Sequence, residues 1–90
     1  MRTDIERIKN GEKPMILQNA MDIKDIAVAM NGASELGMSN EGIAAYYAIE
    51  GAEEWGINET NLEPHLDALR DAGAEFDYSK AMQIALEAAK

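Results

Sequence analysis

Cysteine is absent from the ninety residues, which excludes disulfides, thiolate metal sites and cysteine nucleophiles. Histidine occurs once and proline twice. Valine also occurs once, and no segment alternates β-branched and polar residues as a strand would. No apolar run approaches the length of a membrane span. The N-terminal MRTDIERIKNGEK has no apolar core, so no signal peptide is expected, and a soluble, cytoplasmic protein is the expectation. The most informative absence is of positive charge: no Lys or Arg lies between Lys24 and Arg70.

That gap holds nine acids, Asp25, Glu35, Glu41, Glu50, Glu53, Glu54, Glu59, Glu63 and Asp67. The remaining eight acids balance the eight bases, so the whole formal charge of −9 resides in the middle half of the chain. Such a window is either a plain solvated face or a surface that steers a cationic partner. Apolar residues make up 47%, enough for one globular domain with a modest core. Alanine and methionine are abundant, a mix that favours short helices packed closely through small side chains.

Helix boundaries are legible from caps and glycines. Thr3-Asp4-Ile5-Glu6 reads as a capping box, and Asn10-Gly11 ends that first helix. Pro14 suits the first position of the next helix. Beyond it, Ile16, Ala20, Ile23, Ala27 and Met30 keep helical spacing, either as one helix or as two broken near Gln18-Asn19. Asp22, a good cap before a clean helical run, tilts the reading towards the break. Gly32 weakens the run and Gly37 ends it. Gly32–Ser39 resembles Gly51–Asn58, with a looser third copy at Gly73–Ser79: a left-handed glycine, an apolar residue, then a Ser or Asn cap. Met38 would staple to Ile43 and Ile57 to Leu62. A helix from Asn58 or Thr60 to Ala72 buries Leu62, Leu66 and Leu69 and tolerates Pro64 in its first turn. The last helix follows Ser79 and buries Met82, Ala85, Leu86 and Ala89. The fold expected is a single all-α domain, residues 1–90, a compact bundle of five to six short helices joined by tight Gly/Ser-capped corners.

The chain is organised around SNEGIAAYYAIEGAEEWG, Ser39 to Gly56. Wound at about 100° per residue, one face collects Ala44, Ala45, Ala48, Ile49, Gly51, Ala52 and Trp55. The other collects Ile43, Tyr46, Tyr47, Glu50, Glu53 and Glu54. The first reads as a core face with Trp55 as its anchor. The second, joined by Glu59 and Glu63, reads as a partner-binding surface, because tyrosines supply contact area and carboxylates steer a basic partner.

Catalytic groups are few. His65 has no Glu-x-x-His partner, since position 62 is leucine, and Ser34, Ser39 and Ser79 sit where caps are needed. Neither a calcium loop nor a phosphate loop is present, so no enzyme, metal or cofactor is expected. Ala33-Ser34-Glu35-Leu36-Gly37-Met38-Ser39, preceded by Ile26-Ala27 and followed by Ile43 and Tyr46, resembles a helix-turn-helix corner. The helix that would enter the groove carries no Lys or Arg for phosphate, which argues against direct nucleic-acid binding. In size and charge the chain is similar to small acidic proteins of phages and mobile elements, among them anti-CRISPR proteins, which often mimic nucleic acid. The first expectation is therefore an acidic module that docks on a basic surface of a nucleic-acid-binding protein. A helix-turn-helix regulator and a homo-oligomeric scaffold joined through the alanine-rich face are the alternatives.

Overall fold

Caps and glycines divide the chain as their chemistry dictates. The computed structural model describes residues 3–19, 22–32 and 38–90, apart from the side chain of Asn19. Six helices occur among them and no strand: α1 Asp4–Lys9, α2 Met15–Asn19, α3 Ile23–Gly32, α4 Asn40–Ala52, α5 Glu59–Asp71 and α6 Tyr78–Ala88. Thr3 Oγ1 accepts from the Glu6 N–H at 3.2 Å, and α1 closes at Asn10 with Gly11 left-handed. Helices α2 and α3 are distinct, and Asp22 caps the second. Asp22 accepts from the Asp25 N–H at 3.0 Å, and Asp25 accepts in return from the Asp22 N–H at 3.3 Å. The second cap is thus reciprocal, a capping box built on aspartates.

Ser39, Asn58 and Asp77 cap α4, α5 and α6 by accepting the N–H three residues on. Asp77, not Ser79, starts the last helix: its carboxylate accepts from the Lys80 N–H at 3.1 Å, while Ser79 already lies in the first turn. Two corners of the sequence repeat have left-handed glycines, Gly56 at φ 101° and Gly73 at φ 106°. The third, at Gly37, and with it the centre of the helix-turn-helix resemblance and Ser34, lies outside the described residues. Pro14 precedes α2 rather than opening it: its carbonyl accepts from Leu17 and Gln18. Pro64 sits in the second turn of α5, where its missing N–H leaves the exposed Thr60 carbonyl to water.

The core lies around α4, which packs chiefly on α5 and α6. Ala44, Ala45, Ala48 and Ala52 have no exposed surface, nor do Leu62, Leu66, Leu69, Ala81 and Ala85. Side chains this small bring the backbones of two neighbours close to α4. Ile43, assigned above to the tyrosine face, is also fully buried, and α1 closes over the start of α4. Asp4 carries that closure. Its carboxylate accepts from the Ser39 hydroxyl and rests on Gly42, where a Cβ would come within 2.7 Å. Ala89 is exposed because α6 ends at Ala88. The radius of gyration, 11.6 Å, matches the roughly 12 Å of a compact chain of this length.

Four polar bonds hold the segment between α5 and α6. Asn31 donates to the Gly73 carbonyl at 2.6 Å and accepts from the Glu75 N–H at 2.9 Å. Asn40 donates to the Glu75 carbonyl at 3.0 Å, and Glu41 accepts from the Asp77 N–H at 2.9 Å. An irregular strap with these backbone partners can run past the ends of α3 and α4.

Gly51 supplies a test of the packing. A Cβ there would come within 2.5 Å of the His65 ring, so the ring occupies the space an alanine needs. Glycine to alanine inside a helix ordinarily stabilises by up to about 1 kcal/mol. Here Gly51→Ala is expected to destabilise by about 1–2 kcal/mol, and in a His65→Ala background to stabilise. Urea unfolding of the four proteins of this cycle measures the coupling; equal effects in both backgrounds would refute the contact.

Candidate functional site

The seven candidate residues do not form one patch. Tyr46, Glu50 and Glu53 form one group on α4, at i, i+4 and i+7. Tyr46 is half-buried and packs on the core, while both glutamates are exposed. Lys13, from the turn before α2, reaches this group and pairs with Glu50 at 3.4 Å. A basic residue remote in sequence thus enters a face that carries none of its own. Burial raises the Tyr46 phenol above its ordinary value; Glu50 and Glu53 add to the rise, while Lys13 opposes it.

Tyr47 turns towards α5. Its ring meets His65 edge-to-face with centroids 6.4 Å apart, and burial raises its phenol too. His65 is held between Tyr47 and Gly51, which makes it a packing residue of the α4–α5 seam. Glu59 opens α5 next to the α4–α5 corner, while Glu63 belongs elsewhere. Glu63 stands about 200° from His65 around α5, on the flank shared with Arg70 and facing Tyr78. The Tyr78 hydroxyl lies 3.4 Å from the Glu63 carbonyl oxygen, and its ring lies under the Arg70 guanidinium at 4.9 Å. Phe76 stacks beside it and Asp67 pairs with Arg70 at 3.2 Å.

Glu53 and Glu54 occupy the corner between α4 and α5. Both are exposed, and among the described residues neither forms an ion pair. With Glu50 they put three carboxylates in or just past the last turn of α4, which contains no base. The unpaired carbonyls of a helix C-terminus favour cations, so each carboxylate there costs about 0.3–1 kcal/mol. Local electrostatics is set against stability at this end of the helix.

Trp55 departs furthest from its expected place. It is 74% exposed, not buried as a core anchor. The physical reason is that α4 ends at Ala52. The Trp55 N–H bonds the Ala52 carbonyl at 2.9 Å in a tightened turn, so the helical phase that would have put the indole on the alanine face no longer holds.

Among the described residues, no three His, Asp or Glu side chains gather as a metal site, and no helix is long and apolar enough to cross a membrane. Shallow open grooves flank the exposed Gln83–Glu87 ridge of α6, one lined by Ile57, Leu86 and Lys90, the other by Ile5, Lys80 and Ile84. Against known proteins, the chain matches no family model, no curated protein and no solved structure.

Two outcomes are expected from this geometry. All three tyrosines should ionise above 10, Tyr78 last at about 12, raised by burial first and then by Asp67 and Glu63. A phenol raised by folding stabilises fully below pH 10 and loses that contribution as pH climbs towards 12, so stability should fall across that window and alkaline unfolding be favoured there. Phenolate absorbance against pH checks it, and a tyrosine titrating below 10 in the folded protein would contradict it. Separately, Glu53→Lys with Glu54→Lys should raise stability by about 1 kcal/mol at low salt, shrinking as salt screens the helix end. Thermal melts at two ionic strengths read the difference.

Proposed function

We propose that the protein is a small acidic docking module whose C-terminal end of α4, with Tyr46, Glu50, Glu53 and Glu54, engages a basic surface of a partner protein. The observation that carries this reading is the carboxylate cluster at a helix end where negative charge is unfavourable. Lys13 offsets Glu50, but Glu53 and Glu54 form no ion pair among the described residues, and departures from a local rule are expected at functional sites. A cationic partner supplies the missing compensation. Nine acids with no base between Lys24 and Arg70 extend the same field and would steer such a partner from a distance. Extended basic surfaces commonly bind nucleic acid, so occupation of a nucleic-acid-binding protein in place of phosphate is one form of this function.

The alternatives draw less support. α3 lies chiefly on α5, and α4 brings no Lys or Arg to a phosphate backbone. The alanines that could have joined two copies are consumed by α5 and α6.

The test uses the full chain as bait in nuclease-treated lysate, with elution by a salt step. A basic protein is expected in the salt fraction from wild type, and Glu50→Lys, Glu53→Lys and Glu54→Lys together should abolish its capture while circular dichroism shows a folded helical protein. Capture that survives the triple change, or bound nucleic acid lost on nuclease treatment, would overturn this function.

A further inference from the structure

We propose that Trp55 is the anchor of this docking surface and receives a cationic side chain, arginine in preference to lysine, from a basic partner segment; the proposal rests on the acidic-module reading above. Trp55 is the sole tryptophan and, at 74%, the most exposed of the large hydrophobic side chains among the described residues. Its backbone is nevertheless fixed. The Trp55 N–H donates to the Ala52 carbonyl, and its own carbonyl accepts from Asn61 Nδ2 at 3.0 Å. The same amide nitrogen donates to the Gly56 carbonyl at 3.0 Å, and Asn58 caps α5 by accepting from the Asn61 N–H at 2.9 Å. These interlocked bonds present the indole from a rigid corner, which lowers the ordering cost of engaging it. Tryptophan is also among the residues that most often dominate binding at interfaces.

The surroundings identify the occupant. Glu53 and Glu54 directly precede the indole, and Glu59 opens the helix that follows it; all three are exposed. The face of an indole attracts a cation through its quadrupole more strongly than any other aromatic side chain does. Carboxylates on the same corner accept hydrogen bonds from that cation. A guanidinium stacks flat on the ring while its fork reaches a carboxylate, whereas an ammonium is a compact and strongly hydrated point charge. A purely apolar ligand would strip water from the neighbouring carboxylates without replacing it. A second copy of the chain, at −9, would be repelled.

Because the chain has one tryptophan, its fluorescence reports on this corner alone. The full-length protein is titrated with an arginine-rich peptide, its lysine counterpart and a neutral peptide of the same length. The expected result is a saturable emission change with the arginine peptide, a weaker one with lysine and none with the neutral peptide. In anisotropy with labelled arginine peptide, Trp55→Ala should weaken binding about tenfold and Trp55→Phe less, with circular dichroism unchanged. Equal affinity for wild type and Trp55→Ala would overturn the anchor. If Glu53→Lys with Glu54→Lys then abolished that binding, the acidic face would stand without it. No binding of the arginine peptide to wild type would overturn both.

Discussion

Close approach of backbones to α4 is the constraint from which the remaining architecture follows. Four fully buried alanines line this helix, and α5 and α6 pack against it. Where contact is tightest even a methyl group has no room, as at Gly42 under Asp4 and Gly51 under His65. Apart from the buried Ile43, the larger side chains of the helix sit at its margins. Tyr46 and Tyr47 end up half-buried at its edges, and the glutamates occupy what solvent-facing surface remains. The candidate surface is a by-product of a core built from small residues.

Such a core contains little apolar volume per residue, and the polar contacts show how the fold adapts. The connection between α5 and α6 has few large side chains to bury, and Asn31, Asn40 and Glu41 satisfy its backbone instead. Asp4 performs a similar task for the start of α4 through Ser39. Each of these contacts joins elements far apart in sequence, so short helices that are individually marginal become ordered together.

Charge is distributed on a different principle. Tertiary structure brings Lys13 to Glu50 and Tyr78 to Arg70, while Arg70 pairs with Asp67 one turn away on α5, relieving part of the acidic excess. The α4–α5 corner receives no such relief, and the chain's one indole stands beside it in water. Carboxylates opposing a helix end and a tryptophan left exposed are both unfavourable for an isolated domain. Their coincidence at one rigid corner gives the docking reading its physical basis.

Local chemistry made the helices legible. Thr3, Asp22, Ser39 and Asn58 cap because a short oxygen-bearing side chain reaches the N–H three residues on; Gly73 follows the end of α5, and Gly56 closes the turn after α4, because both are left-handed. Leu62, Leu66 and Leu69 were equally readable from their spacing. Helical phase carries information only while the helix lasts, so Trp55, three residues beyond the end of α4, could not be placed by extrapolation. Nor could periodicity along one helix reveal that Ile43 is fully buried, that Lys13 meets Glu50, or that Glu63 lies on the flank of α5 that faces Tyr78. Those placements depend on which helices pack together, and packing is a property of pairs of surfaces that no single stretch of sequence contains.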